Sequence, residues 1–274
     1  MTSRAAQRPG EVLVDWPGFV AAAVITPAGV AQRWGDEHRA VRIASVSKLV
    51  TGYALLVALE EGAVDLDDEA GPPGATVGDL YCHAAGLDFD SPRVLAPPRT
   101  RRIYSNTGWE VLCAHLEARA GITWQDYLAE AVTSPLGMVG TIADGSPAKD
   151  LWAPVTDLER FAIELFDPTL VARETLDLAT TPRLPELGGV LPGIGVLWPN
   201  PWGLGFEIRG RKSPHWTGHR NSPATFGHFG GSGTFLWLDP DAGLALVAVG
   251  GRDFGPWALE VWPRFSDAVL LEFG

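Results

Sequence analysis

The apolar runs that read as strands stand at the two ends of this chain. Residues 18–26 (GFVAAAVIT) are almost wholly apolar, and Pro27-Ala28-Gly29 turns them so that residues 30–35 return as the second arm of a hairpin. Near the other end, residues 203–209, 232–238 and 243–250 alternate or run apolar between turns, with Asp239-Pro240-Asp241-Ala242-Gly243 as a strong hairpin turn. Between these groups the pattern changes. Residues 44–61 place apolar side chains on a 3.6-residue rhythm, and Gly62 stops the helix. Residues 65–78, rich in Pro, Gly and acid, read as a loop and a lobe boundary. Short helices follow at 107–120, 124–132 and 154–165, broken by Pro- and Gly-rich loops, and 187–203 shows little periodicity. Residues 256–272 predict a closing helix. The expected fold class is therefore α+β: an antiparallel sheet flanked by helices, built from residues 1–66 and 201–274, with a mostly helical lobe, 67–200, inserted between them.

A length of 274 residues suffices for a large core plus such a lobe. A formal net charge of −12 argues against a nucleic-acid partner, which needs a basic face. No uninterrupted apolar run reaches the ~18–20 residues of a membrane span, and the opening MTSRAAQRPGEVLVDW has no apolar stretch of leader type. The expectation is a soluble cytoplasmic protein acting on a small molecule, with Cys82 and Cys113 as reduced thiols. Neither cysteine has the spacing of a zinc site, and no cofactor is expected. His215 and His219 are four apart, but Pro214 and Gly218 argue against the helix that would aim both at one metal, so no metal is expected and a loop at the lip of a substrate site is.

Three short patterns carry chemistry. In Ser45-Val46-Ser47-Lys48, positions i and i+3 of a helix bring a hydroxyl beside an amine. A serine is a poor nucleophile until a neighbouring base takes its proton. A lysine serves as that base when burial lowers its pKa. The plainer alternative is a capping serine and a solvated lysine. In Tyr104-Ser105-Asn106, a phenol able to relay a proton precedes an amide able to hold both a lysine and a substrate carbonyl; alternatively, Asn106 caps a helix beginning at Thr107. In Gly227-His228-Phe229-Gly230-Gly231, glycines admit a substrate close to the backbone, where an N–H stabilises an oxyanion. Read alone, that segment is equally a Gly-rich hairpin turn.

Taken in order, SxxK, YxN and HxG stand about sixty and then about a hundred and twenty residues apart. The set resembles the serine β-lactamase and penicillin-binding protein superfamily, in particular its class C β-lactamase-related branch of esterases and D-aminopeptidases. LYCHAAGL (80–87), PLGMVGT (135–141), DLERF (157–161), WGLGF (202–206) and HFGGSGTFLWLDP (228–240) resemble further segments of that branch, with Ala85 where a serine is usual. The resemblance implies that Ser45 is acylated, that Lys48 takes its proton, and that Tyr104 is the acid/base partner. It implies that Asn106 orients Lys48 and the substrate amide, and that His228 fills the place of a lysine in the related KTG motif. It implies an oxyanion hole at Ser45 and Gly231, beside Gly230, and a structural part for His83.

An acyl-enzyme hydrolase of esters or amides is the expected function. A β-lactamase or D,D-carboxypeptidase/D-aminopeptidase is the alternative, and a catalytically inactive binding protein on the same scaffold is a reading of another class. Trp198 and Trp202 flank a Pro-rich loop near the expected cleft, as packing or as an aromatic lip.

Overall fold

A computed structural model describes residues 7–274. The reading of the N-terminus as free of a leader also involves residues 1–6, which lie outside the described residues. The helices are α1 (Pro9–Leu13), α2 (Ser47–Glu60), α3 (Val77–Tyr81), α4 (Asn106–Ala120), α5 (Trp124–Leu128), α6 (Val155–Phe166), α7 (Arg173–Thr180) and α8 (Pro256–Phe273). The strands are β1 (Val20–Thr26), β2 (Gly29–Trp34), β3 (Val41–Arg42), β4 (Arg102–Ile103), β5 (Ile142–Ala143), β6 (Leu151–Ala153), β7 (Gly189–Leu191), β8 (Gly195–Leu197), β9 (Glu207–Ile208), β10 (Phe226–Gly230), β11 (Thr234–Asp239) and β12 (Leu244–Gly250).

The main sheet has the order β2-β1-β12-β11-β10-β9, antiparallel throughout. The two ends of the chain meet where β1 pairs with β12, Val24 opposite Leu246. Both faces of this centre are covered, which is why its strands are apolar at every position. Ala22, Val24, Leu246 and Ala248 face Trp262 and Phe265 of α8, while Ala21, Ala23, Val247 and Val249 face the core shared with α2 and α6. This agrees with an α+β fold.

Three sequence expectations need correction. Helix α2 is not amphipathic: Ser47 through Leu56 are all buried, because α4, α5, the 129–133 turn and β10 surround it. Residues 77–200 are not only helix and loop. They also hold β4 to β8, which form the small sheet β4-β7-β8 and, with β3 from before α2, the small sheet β3-β6-β5; strands of two or three residues are too short to show a period. Of the Gly-rich segment 227–231, residues 227–230 lie in the fully buried strand β10, and only Gly231 belongs to the reversal at 231–233. Among the described residues, no helix is long and apolar enough to cross a membrane.

Strand β10 needs glycine at its end because it lies directly on the turn before α2. A Cβ on Gly230 would stand 2.3 Å from the Ile43 carbonyl and 2.3 Å from Thr234 Oγ1, far inside contact distance. The same turn is tied down by Thr234 Oγ1, which donates to the Ile43 carbonyl at 2.8 Å, and by Ser232 Oγ, which donates to the Arg42 carbonyl at 2.6 Å. A Cβ on the neighbouring Gly231 meets nothing within 4 Å. Gly230→Ala should therefore cost about 1–3 kcal/mol in urea unfolding, the range for overpacking, whereas Gly231→Ala should be neutral. Equal costs at the two positions would contradict this account of the packing.

Candidate active site

The turn that β10 holds down presents Ser45. Ala44, just before it, has φ +45°, a left-handed conformation costly for a residue with a Cβ, and it is buried and held there by its neighbours. Residues 44–46 make one 3₁₀ turn, and Lys48 follows in the first turn of α2. Ser45 is thus not the helix cap, and Lys48 is not solvated: it is 0% exposed.

The lysine amine has three neighbours. Asn106 Oδ1 accepts at 2.6 Å and the Ala148 carbonyl at 2.9 Å, while Ser45 Oγ lies at 3.5 Å. A neutral amine has two N–H donors and one lone pair. The two short contacts are to atoms that only accept, so in the neutral form the lone pair is left facing the Ser45 hydroxyl. The charge state follows the surroundings. Burial, and after it the Lys149 charge, holds the Lys48 pKa well below its ordinary value; Asp90 and Glu110 act the other way, and neither is hydrogen-bonded to it. The Ala148 carbonyl is held in range because Ser47 Oγ accepts from the Leu151 N–H at 3.1 Å and Thr51 Oγ1 donates to the Pro147 carbonyl at 3.1 Å.

Asn106 reaches Lys48 because it is not the cap that the sequence allowed. Ser105 caps α4, its Oγ accepting from the Gly108 N–H at 2.9 Å, and Asn106 becomes the first helical residue with its amide free. The other end of that amide donates to Asp90 Oδ1 at 2.9 Å, which also takes Lys149 Nζ at 3.2 Å. Asp90 therefore fixes which way the amide points: nitrogen outward, oxygen toward Lys48.

Tyr104 lies across the Lys48 amine, its ring centroid 4.7 Å from Nζ. Its hydroxyl is 3.2 Å from His228 Nε2. His228 Nδ1 lies 2.6 Å from the Phe229 carbonyl, which can only accept, so Nδ1 carries the proton and Nε2 accepts from Tyr104. Burial, and next the Lys48 charge, pushes the His228 pKa down to about 3, so the ring is neutral at physiological pH. Burial raises the Tyr104 pKa, and the neighbouring Ser45 hydroxyl opposes the rise. The five side chains singled out in the sequence thus converge.

Ser45 and Gly231 line one cavity of about 160 Å³, with Phe89, Leu191, His228 and Phe254 among its walls. Among the described residues, neither the Ser45 nor the Gly231 N–H is paired with a protein acceptor. Gly230 contributes close packing beneath them, as described above. His83 donates nothing to the cavity. Its Nδ1 accepts from the Ser105 N–H at 3.2 Å, which fixes the backbone between Tyr104 and Asn106.

His215 is not on a substrate lip. It is buried, with Nε2 at 2.9 Å from Glu207 Oε1, where Lys212 Nζ also donates at 2.6 Å, while Trp216 donates to Oε2 at 2.6 Å. Among the described residues, no group of three or more His, Cys, Asp or Glu could hold a metal. Trp202 is buried against His228 and Tyr104, with ring centroids 5.4 and 5.8 Å away, whereas Trp198 is exposed. Asp90, Lys149 and Ala148 were not legible in the sequence; the one available signal was that Lys149 is among three lysines in the chain.

A family model described as Beta-lactamase matches residues 10–267. A crystal structure of a beta-lactamase from Mycobacterium bovis is 52% identical and superposes with a TM-score of 0.95 over 97% of this chain and 99% of that one. Simvastatin synthase from Aspergillus terreus superposes with a TM-score of 0.76 over 96% of this chain and 93% of that one at 16% identity, a likeness of fold alone. A D-alanyl-D-alanine-carboxypeptidase/endopeptidase, AmpH, of Escherichia coli is 28% identical in an alignment of 144 residues, with 39% of this chain and 37% of that one covered. The chain thus spans little more than a third of the curated relative's length.

The charges around Lys48 make its titration testable. Reaction of Ser45 with a fluorophosphonate should quicken as pH rises through the Lys48 pKa, because only the neutral amine takes a proton. Lys149→Gln removes a charge that lowers this pKa and should move the rise to higher pH. Asp90→Asn removes one that raises it and should move the rise to lower pH. A pH profile unmoved in both variants would mean that Lys48 is not the base.

Proposed function

The chain belongs to the beta-lactamase family, and on that footing we propose that it is a serine hydrolase that forms an acyl-enzyme and prefers neutral esters or amides. One observation carries the reading: a fully buried lysine amine, bonded to no carboxylate, faces the Ser45 hydroxyl. Ser45 Oγ attacks the substrate carbonyl carbon, and Lys48 Nζ takes its proton. The carbonyl oxygen, now negative, is received by the Ser45 and Gly231 N–H groups, which are oriented before the reaction begins. As the tetrahedral intermediate collapses, the leaving oxygen or nitrogen takes a proton from the Tyr104 hydroxyl, which the Lys48 proton restores. Water then attacks the ester by the same steps in reverse. Asn106 holds the lysine and the substrate carbonyl side, and His228 orients the Tyr104 hydroxyl.

The preference for a neutral substrate rests on charge. His228 is neutral, and among the described residues none lining the cavity beside Ser45 carries a charge. A substrate carboxylate would give up its water for no cation there. The second reading, a β-lactamase or D,D-carboxypeptidase, draws its support from the names of the Mycobacterium bovis and Escherichia coli relatives. A cytoplasmic setting is supported by Cys82 and Cys113, both buried free thiols.

A fluorophosphonate should add once, at Ser45, and Ser45→Ala should abolish both labelling and turnover, as peptide mapping would show. Replacing Lys48 or Tyr104 should lower kcat by about 10²-fold or more, the scale of a lost general base. p-Nitrophenyl acetate or butyrate should be hydrolysed with kcat/KM at least about 10-fold above nitrocefin near neutral pH, or about 1.4 kcal/mol in barrier. The reverse order would replace the esterase reading with the β-lactamase one.

A further inference from the structure

A second cavity, of about 490 Å³, adjoins the one at Ser45 and shares Phe89, Tyr104 and Pro192 with it. One wall is Phe89, on the approach to α4, whose ring stacks on Tyr104 at 5.9 Å and 28°. The opposite wall is the β7–β8 hairpin and the residues after it. Val190, Val196 and Trp198 there are 52%, 76% and 76% exposed. Trp198 is held at the rim by its inner face, which packs so closely on Gly188 that a Cβ there would stand 2.2 Å from the ring.

The charged groups beside this groove are already engaged. Arg102 donates to the carbonyls of Cys82, Asn200 and Leu184. The Asp88 carboxylate accepts from the Phe89 N–H and Ser91 Oγ, at 2.8 and 2.9 Å. Arg101, which also lines the groove and is exposed, donates to the Leu95 carbonyl at 3.3 Å, and the rest of the lining is mostly methyl and ring surface. Several apolar side chains left in water on adjoining positions, continuous with a nucleophile's cavity, mark a place filled by something apolar.

We propose that this groove seats a hydrocarbon arm of the substrate, so that the protein selects esters carrying a medium-length alkyl chain. The inference rests on the hydrolase reading above and adds to it the class of substrate. Phe89 links the two spaces: it walls the groove and the Ser45 cavity alike, so one substrate molecule can lie in both at once. Each methylene taken out of water is worth about fourfold in binding. Because the groove is half open, a chain that fills it gains only part of this.

The test compares p-nitrophenyl acetate with the hexanoate and octanoate, and butyl with octyl acetate, all below their aggregation limits. The first series lengthens the acyl arm and the second the alcohol arm. In one of them kcat/KM should rise at least about 30-fold with length. Val196→Asp and Trp198→Ala should each cut that long-to-short ratio about tenfold or more, while Val139→Asp, at an exposed position outside the groove, should keep it. Binding of methyl octanoate and octyl acetate to the Ser45→Ala protein, followed by tryptophan fluorescence, reads the groove without turnover. Hydrolysis at one rate whatever the chain length, with no length-dependent binding, overturns the proposal and leaves the hydrolase reading intact. Length-selective binding that Val196→Asp abolishes, in a protein that hydrolyses no ester, keeps the groove and overturns the hydrolase.

Discussion

The structure turns on one uncompensated amine. Lys48 is surrounded by protein on every side, yet its partners are an amide oxygen, a backbone carbonyl and a hydroxyl, none of which carries charge. A buried ammonium with a carboxylate at contact would stay protonated and be of no use as a base. One without such a partner gives up its proton at far lower cost. The contrast lies within the same chain. Lys212 is also buried and its pKa is also lowered, but Glu207, bonded to it at 2.6 Å, opposes the fall, and Lys48 has no such carboxylate in contact.

Much of the surrounding architecture serves to keep that amine alone. Ser105 takes over the cap of α4 and so releases Asn106. Asp90, one layer further out, orients the Asn106 amide and keeps its own charge beyond hydrogen-bonding reach of the lysine. The loop bearing Ala148 is pinned through Ser47 and Thr51, which lie on the same helix as Lys48. Ser47, the serine between Ser45 and Lys48 in the sequence, is thus a structural member of the motif.

The parts legible in the sequence were those set by spacing. Ser45 and Lys48, three apart across the 3₁₀ turn that leads into α2, stay neighbours, and the long apolar runs at the two chain ends had to pair. What escaped was set by tertiary surroundings. The 3.6-residue rhythm of α2 announces one buried face, but not that its polar positions, Ser47, Lys48 and Thr51, are buried as well. Strand β10 looks like a turn because its glycines answer to the backbone they touch rather than to a reversal of direction. His215 looked like a lip residue because nothing in its neighbourhood along the chain announces Glu207 as its partner. Asp90 lies in a loop without motif, and the 189–197 hairpin is too short to register as strands.

The site is also spread unevenly along the chain. Ser45 and Lys48 are near the start, Tyr104, Asn106 and Ala148 in the middle, and His228 and Gly231 beyond the last helix but one. During synthesis the proposed nucleophile leaves the ribosome more than a hundred and eighty residues before the backbone that would receive its oxyanion. Strand β10, which fixes the Ser45 turn, comes just before that backbone, and strand β12, which fills the gap beside β1, comes later still. A nascent chain therefore carries the serine and the lysine but neither the enclosure that deprotonates the one nor the hole that stabilises the product of the other. Reactivity is a property of the closed sheet, and it waits on the strands that close it.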